Sequence, residues 1–233
     1  ETDTQDLTGT PVSTGKPVDF SPQTIQNVFR KFEGPIKQLP PVYSALKHKG
    51  VPLYKLARRG KPMQKPPRRV QIYSISIHEI ALPLIRFEVT CSAGTYIRTL
   101  CADIGKSLGC GGHLTALKRL ESSGFTLNQA VSLSELEKLR NSTELSNRII
   151  RMADALPDMP KFCADTQLAE KIRHGKLIST RELTGPNGDG GTYNAGSEIK
   201  IVDWDGDLIA ILKYCEPGNR LEYRCVFPKQ SNQ

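Results

Sequence analysis

Long apolar runs are missing from this 233-residue sequence, and their absence excludes a protein with membrane-spanning helices. Hydrophobic residues make up 38% of the chain, and the mean hydropathy is −0.38. No apolar run approaches the ~18 residues that a membrane-spanning helix needs. The first residues, from Glu1 to Asp6, also lack the basic and apolar regions of a signal peptide. We therefore expect a cytoplasmic protein without a transmembrane helix.

Metal-binding and several catalytic motifs are missing as well. The six cysteines form no C-x-x-C pair and the four histidines are scattered, so we expect free thiols and no metal site. The sequence contains no P-loop, no H-E-x-x-H motif and no serine nucleophile elbow. These absences argue against NTPase, metalloprotease and serine-hydrolase chemistry.

Acidic residues are missing from residues 34–78, and the positive charge of the chain is concentrated there. The formal net charge is +8. This stretch alone contains ten basic residues: Lys37, Lys47, Lys49, Lys55, Arg58, Arg59, Lys61, Lys65, Arg68 and Arg69. Such a patch attracts a polyanion, and the interleaved Tyr43, Tyr54 and Tyr73 offer stacking surfaces for bases. We interpret the stretch as a nucleic-acid-binding surface; a solvated basic face without a partner is the alternative.

The pattern of apolar residues predicts an α+β fold with a mixed or antiparallel sheet. Helices are predicted at residues 21–33, 43–48, 53–59, 97–108, 132–139 and 168–172. Strands are predicted at 70–80, 85–91, 114–120, 198–202, 208–214 and 221–227, with a hairpin turn at Asp205-Gly206. Residues 61–69 are predicted to form an exposed loop, and 184–196 are rich in glycine. The composition changes near residue 156, which predicts one domain at 1–155 and a small β-rich domain at 156–233.

The segment from Gly94 to Arg98 has the pattern of a functional site. It joins a predicted strand to a predicted helix, so that Tyr96 and Arg98 lie where strand-end side chains converge. A cation at a helix N-terminus is opposed by the helix dipole, and Arg98 therefore calls for an anionic partner such as a carboxylate or a phosphate. A surface arginine is the alternative. The glycine-rich residues 108–113 follow a helix, so we interpret them as a helix-ending turn and His113 as a structural histidine.

Four spaced motifs together resemble one known family. They are Leu39-Pro-Pro-Val-Tyr-Ser-Ala-Leu-Lys47, Leu53-Tyr54 with Ala57-Arg-Arg-Gly60, Gly94-Thr-Tyr-Ile-Arg98, and Leu108-Gly-Cys-Gly-Gly-His113 with Leu117-Lys-Arg119. In this order they resemble the bacterial TruB family of tRNA pseudouridine synthases. Thr2-Asp-Thr4 and Asp6 are similar to the acidic segment that precedes these motifs in the family. The resemblance covers about residues 2–125, and the chain after residue 160 is more loosely similar to a PUA-like RNA-binding domain.

The resemblance implies isomerisation of uridine 55 in the T-loop of tRNA to pseudouridine, without cofactor or metal. The target base would be flipped out of the loop, and an Asp would drive cleavage of the glycosidic bond and its re-formation through C5. Arg98 would pair with that Asp, while Tyr96 and Leu117 would line the uracil pocket. Residues 35–69 would form a thumb-like insertion closing on the RNA. Further RNA contacts would come from Tyr43, Lys47, Arg58, Arg59, Lys61, Lys65, Arg68, Arg69, Lys118 and Arg119. We expect the protein to act as a monomer.

The sequence departs from the family pattern at the catalytic Asp itself. In the family this Asp lies in a Gly-Thr-Leu-Asp-Pro-type motif upstream of the acidic segment, and no Leu-Asp-Pro occurs in the 233 residues. Leu156-Pro157-Asp158 is not a substitute, because it lies at the predicted domain junction. We therefore expect an enzyme whose catalytic Asp lies outside this sequence. The alternative is a non-catalytic tRNA-binding or RNA-folding protein, but a buried Arg98 charge without a carboxylate partner would be costly.

Overall fold

The structure of the protein is a computed structural model that describes residues 1–13, 15–140, 142–183, 196–215 and 220–228. The chain divides into two compact units, Glu1–Lys118 and Arg119–Gln233. Both units contain helices and strands, which confirms the predicted α+β class. Most of the glycine-rich stretch at 184–196 lies outside the described residues.

The first unit consists of a three-stranded sheet, a small hairpin and three helices. In chain order these are α1 (Pro22–Arg30), β1 (Gly34–Gln38), β2 (Lys47–His48), β3 (Val51–Pro52), α2 (Leu53–Arg58), β4 (Arg68–Ala81), β5 (Leu84–Cys91) and α3 (Ile97–Leu108). The sheet order is β1-β4-β5, and both pairings are antiparallel. The predicted strands at 70–80 and 85–91 and the predicted helix at 97–108 are therefore confirmed.

The core of the first unit lies between one face of this sheet and helices α1 and α3. Helix α1 begins at Pro22, because the Ser21 hydroxyl accepts a hydrogen bond from the Thr24 amide at 3.2 Å; such a cap stabilises a helix by about 1 kcal/mol. Its apolar face, with Phe29 fully in the core, meets the inward-facing residues of β5. The Phe29 and Phe87 rings pack edge to face at 5.2 Å. The alternation of apolar residues along β5 thus selects the sheet face that is covered.

The thumb-like segment, residues 35–69, contains a hairpin that the sequence did not predict. Residues 43–48 do not form the predicted helix, since Lys47 and His48 belong to β2 and pair with β3. The turn between the strands is made by Lys49 and Gly50, both with positive φ (47° and 80°), a conformation that favours a two-residue hairpin. Helix α2 begins at the buried Leu53, which confirms the predicted helix at 53–59. Residues 61–67 are irregular, and the loop predicted at 61–69 ends two residues early because β4 begins at Arg68.

Helix α3 ends in a glycine turn, as predicted. Gly109 closes the helix with φ 87°, a left-handed conformation that suits glycine. Gly105 allows the chain to fold back against the helix, because a Cβ atom there would overlap the carbonyl carbon of Gly111. The Gly111 amide donates to the Gly105 carbonyl at 3.0 Å. This close approach brings residues 110–114 back alongside α3.

The second unit combines short helices with a four-stranded mixed sheet. Its elements are β6 (Glu121–Ser122), β7 (Phe125–Thr126), α4 (Leu133–Leu139), α5 (Glu144–Arg148), β8 (Lys161–Cys163), α6 (Thr166–Arg173), β9 (Glu198–Val202), β10 (Leu208–Cys215) and β11 (Arg220–Val226), with 3-10 turns at Leu127–Gln129 and Thr180–Leu183. The sheet order is β11-β10-β9-β8, and only the β8–β9 pairing is parallel. The predictions of helices at 132–139 and 168–172 and of the last three strands are confirmed.

The core of the second unit lies between this sheet and α6. Leu168, Ala169 and Ile172 of α6 are buried against the sheet residues Ile199 and Leu212. The turn between β9 and β10 contains Asp205-Gly206 as predicted, and the Gly206 amide donates to the Asp203 carbonyl at 2.9 Å. Short runs of apolar residues predicted three of its four strands, whereas the three-residue strand β8 was not predicted.

The predicted strand at 114–120 is wrong. Leu114 forms an isolated bridge to Asp6, and residues 115–120 are irregular and exposed, without a strand partner. Leu117 and Leu120 are 62% and 45% exposed, so the apolar residues that suggested a strand are not buried here. The domain boundary near residue 156 stays a prediction. No helix in the described part of the chain is long and apolar enough to span a bilayer.

Candidate functional site

Arg98 lies at the meeting point of three separate segments of the first unit. Its Nη1 atom donates to the Thr4 carbonyl at 2.9 Å and to Asp6 Oδ2 at 3.1 Å, and its Nη2 atom donates to the Tyr43 carbonyl at 2.7 Å. The Arg98 side chain is 24% exposed and that of Asp6 is 23% exposed. We call Arg98, Asp6, Thr4 and Tyr43 the Arg98 cluster. The predicted need of Arg98 for an anionic partner is met within the chain.

Asp6 is held in its ionised form by several hydroxyl and amide donors. Its Oδ1 atom accepts from Thr8 Oγ1 at 2.6 Å, Thr4 Oγ1 at 2.7 Å and the Thr8 amide at 3.0 Å. The hydrogen bond from the Thr8 hydroxyl, with smaller contributions from Thr4 and from the Arg98 charge, lowers the pKa of Asp6 from 3.8 to about 2, against an opposing effect of partial burial. Asp6 therefore presents a full negative charge to Arg98 at neutral pH.

The loop that carries Asp6 is fixed to helix α3 and to the glycine turn that follows it. Gln5, with φ 64°, accepts a hydrogen bond on its side chain from Thr99 Oγ1 at 2.7 Å. The Leu114 amide donates to the Gln5 carbonyl at 3.0 Å, and the Leu7 amide donates to the Leu114 carbonyl at 2.9 Å. These contacts hold the Asp6 carboxylate in place beside the first turn of α3.

Tyr96, predicted to line the pocket, and Tyr43, predicted to contact RNA, are placed differently. Tyr96 is the residue before α3, is half-buried, and has an extended backbone. Tyr43 contributes its backbone carbonyl to Arg98, while its hydroxyl lies 3.5 Å from Asp3 Oδ2. The structure therefore brings Tyr43 and Arg98 together through the main chain of Tyr43, which leaves its ring at the edge of the cluster.

The basic residues of the thumb-like segment form an accessible surface. Those with exposed side chains are Lys37, Lys47, Lys49, Lys55, Arg58, Arg59, Lys61, Arg68 and Arg69, and Lys65 is half-buried. The Arg58 guanidinium lies 5.6 Å from the centre of the Tyr54 ring, a cation–π geometry. No ion pair to any of these ten residues is found among the described residues. Their charge is thus available to an external polyanion.

Leu117, Lys118 and Arg119 are all exposed. Leu117 and Lys118 belong to the first unit, and Arg119 begins the second. The assignment of Leu117 to a uracil pocket and of Lys118 and Arg119 to RNA contacts stays a prediction. His113 is half-buried in the glycine turn.

Asp6 is the residue of the cluster whose role the sequence did not reveal. It was noted only as part of an acidic segment, and 92 residues separate it from Arg98. The pattern Thr4, Asp6, Thr8 is a usable signal, because alternating hydroxyl residues around an aspartate are typical of a turn that hydrogen-bonds its own carboxylate.

A metal centre is not formed by the described residues, among which no group of three potential ligands lies together. A cavity of about 450 Å³ in the second unit is lined by Arg151, Asp158 and Lys200 among others, and by none of the predicted site residues. The buried Lys200 ammonium is already used there, since it donates to the carbonyls of Ala153 at 2.8 Å and Leu156 at 2.6 Å. The Arg98 cluster and the basic surface are therefore the stronger candidate site.

The fold and these two features define a class: an α+β protein with an exposed basic segment and a partly buried arginine–carboxylate pair. Comparison with known families identifies it further. Residues 1–97 match the N-terminal domain of the TruB family of pseudouridylate synthases, and residues 98–156 match the C-terminal domain of tRNA pseudouridylate synthase B. The chain belongs to the TruB family of pseudouridine synthases, which are isomerases.

Curated relatives agree with this family. The chain is similar to tRNA pseudouridine synthase B of Geobacter sulfurreducens, with 40% identity over 90% of this chain and 68% of the relative. The protein of the same name from Syntrophotalea carbinolica is 41% identical over 97% of this chain and 72% of its own length. For Francisella tularensis subsp. novicida the identity is 44% over 90% of this chain and 69% of the relative.

Solved structures share the fold at lower identity. A chain from a Cbf5-Nop10-Gar1 complex matches 91% of this chain with a TM-score of 0.68 and 24% identity. A chain from an H/ACA RNP bound to a substrate RNA containing 2'-deoxyuridine matches 93% with a TM-score of 0.66 and 21% identity. This chain spans 64% of the length of each of those chains.

Proposed function

We propose that the protein isomerises uridine 55 in the T-loop of tRNA to pseudouridine. The observation that carries the proposal is the Arg98 cluster, in which a partly buried guanidinium is oriented by a neighbouring carboxylate and two backbone carbonyls within a TruB-family chain. We further propose that the protein acts as a cytoplasmic monomer on the T-stem-loop. A flipped base is the form in which a uridine of a stacked loop becomes accessible to a pocket.

The role proposed for Arg98 is to hold a reacting carboxylate in place. The aspartate that the family resemblance implies is not among the 233 residues, so none of the present residues is assigned the bond-breaking step. Asp6, with its pKa lowered to about 2, stays ionised and orients the Arg98 guanidinium. A guanidinium can serve two carboxylates at once because it has five N–H donors in a fixed plane. Asp6 is therefore proposed as the positioning residue and Arg98 as the group that faces the reaction.

The thumb-like segment is proposed to bind the phosphates of the T-stem. Its ten basic residues lie in one stretch, and its junction with the sheet is next to Tyr43, whose carbonyl accepts from Arg98. Binding by such a surface releases counterions and depends steeply on salt. Tyr96 and Leu117 are proposed to contact the uracil, and Lys118 and Arg119 to add phosphate contacts.

The function is tested with the complete protein and a T-stem-loop RNA. We expect pseudouridine at position 55, detected by carbodiimide modification and primer extension, and none in a matched RNA with cytidine at that position. Binding is measured in parallel as a function of salt. Salt-dependent binding without pseudouridine would instead support the non-catalytic RNA-binding alternative, and absence of both would contradict the proposed substrate.

A further inference from the structure

The last residue of β1, Gln38, forms a two-point contact with the backbone just before α3. Gln38 is 1% exposed. Its Oε1 atom accepts from the Tyr96 amide at 2.7 Å, and its Nε2 atom donates to the Tyr96 carbonyl at 3.0 Å. One side-chain amide thus pairs with both the N–H and the C=O of a residue 58 positions away.

This contact fixes the residue at the N-cap of α3. Tyr96 occupies the N-cap position of α3 but its side chain makes no capping hydrogen bond. Its carbonyl accepts both from the Leu100 amide, at 3.0 Å, and from Gln38. A buried amide that lacks partners is costly, so Gln38 and Tyr96 fix each other. The conformation of the first residues of α3 is therefore set by β1.

The contact also closes a ring that contains Arg98. Tyr96 is two residues before Arg98, and Arg98 Nη2 donates to the Tyr43 carbonyl at 2.7 Å. From Tyr43 the chain returns through Pro41 and Pro40, both buried, to Gln38. The start of the thumb-like segment is thus connected to the first turn of α3 by two contacts, Gln38 with Tyr96 and Tyr43 with Arg98. A shift of one segment must therefore move the other.

We propose that Gln38 is a positioning residue for the reaction, which sets the place of the Arg98 guanidinium by fixing the backbone of Tyr96. This inference rests on the proposed function. It predicts that loss of the Gln38 contacts slows the chemical step and leaves tRNA affinity nearly unchanged, because Gln38 is buried and cannot touch RNA.

The first test replaces Gln38 with a side chain of similar length that makes no hydrogen bonds. In the complete protein, Gln38→Met is expected to slow single-turnover pseudouridine formation by about a hundredfold, since a misplacement of ~1 Å has an effect of that size. The Kd for the T-stem-loop at fixed salt should change by less than about threefold. The matched control is Gln23→Met, on the exposed side of α1, which should behave as wild type.

The second test distinguishes positioning from general loss of packing. In Gln38→Glu, the ionised carboxylate accepts from the Tyr96 amide but cannot donate to the Tyr96 carbonyl, whereas the protonated acid can do both. The single-turnover rate relative to wild type should therefore rise as pH falls from 8 to 5.5. This variant also covers the case in which Gln38→Met does not fold.

The outcomes separate the inference from the function on which it rests. A wild-type protein that binds the RNA but forms no pseudouridine overturns both. Suppose instead that the wild type is active. A normal single-turnover rate for Gln38→Met then overturns the role of Gln38 alone, and so does a rate of Gln38→Glu relative to wild type that does not change with pH. A Gln38→Met defect that is wholly due to weaker RNA binding does so as well.

Discussion

Arg98 is the residue at which binding and turnover should separate. Lysine at this position keeps the positive charge but not the planar arrangement of donors that reaches Thr4, Asp6 and Tyr43 together. We expect Arg98→Lys to fold and to bind the T-stem-loop, with single-turnover pseudouridine formation lowered by about a hundredfold. The measurement is single-turnover rate beside Kd at the same salt. If Arg98→Lys forms pseudouridine at the wild-type rate, or if its lower rate is fully explained by weaker RNA binding, Arg98 contacts a phosphate and not the reacting carboxylate.

Asp6 should contribute to stability in a pH-dependent way. Its folded-state pKa of about 2 lies below the value of 3.8 for a free side chain, so its contribution is fully present above about pH 4 and is lost as pH falls toward 2. Asp6→Asn should therefore lower the free energy of unfolding by on the order of 1–2 kcal/mol at pH 6. The difference from wild type, measured by urea denaturation, should shrink between pH 4 and pH 2.5.

A pH-independent difference for Asp6→Asn would mean that shape rather than charge matters at this position. Thr8→Val is a useful companion, because it removes the hydroxyl that most lowers the pKa of Asp6. It should move the loss of stability to higher pH without removing the ion pair to Arg98.

The chemistry of these residues was only partly predictable from the sequence. The helix dipole argument correctly required an anionic partner for Arg98, since it depends on local sequence alone. The identity of that partner depends on a loop fixed by Gln5, Leu7 and Leu114. Such a contact joins segments about a hundred residues apart and leaves no periodic signal in either segment.

Among the elements, the thumb-like segment should account for the salt dependence of RNA binding. Replacing Lys61, Lys65, Arg68 and Arg69 together by Ala is expected to weaken binding and to flatten its dependence on salt. On duplex DNA each lost phosphate contact lowers the magnitude of the log–log slope by about 0.9. The control removes the same charge from exposed residues of the first unit outside the segment: Lys16, Arg30, Lys31 and Lys106. An unchanged slope for the first variant, or equal slopes for both, would place the RNA elsewhere.

Long elements with a regular pattern of apolar residues were predicted well, whereas the short hairpin strands were not. Helices α1 and α3 and strands β4 and β5 each have one side covered by the same core, so their patterns reflect burial. The hairpin of β2 and β3 has two residues per strand and is set by the positive φ of Lys49 and Gly50. Residues 115–120 show the reverse case, in which a short segment with scattered apolar residues is exposed and has no strand partner in the described structure.

At the scale of the whole molecule, each unit has a hydrophobic cluster of its own. One cluster is built from α1, α3 and the first sheet, and another from α6 and the second sheet. The Arg98 cluster lies entirely within the first unit. We therefore propose separate roles for the two parts: the first unit positions the reacting groups, and the C-terminal sheet adds RNA affinity.

Deleting residues 160–233 from the complete protein tests this division. We expect the shortened protein to bind the T-stem-loop more weakly and to keep measurable single-turnover pseudouridine formation at saturating enzyme, because no proposed pocket residue lies in the deleted part. The deletion also removes Lys200, whose ammonium holds the Ala153 and Leu156 carbonyls, so residues 150–159 should become sensitive to protease. Circular dichroism is needed to confirm that the remainder is folded. Complete loss of turnover in a folded product would show that the C-terminal sheet takes part in placing the target uridine, and that the predicted boundary near residue 156 does not separate chemistry from binding.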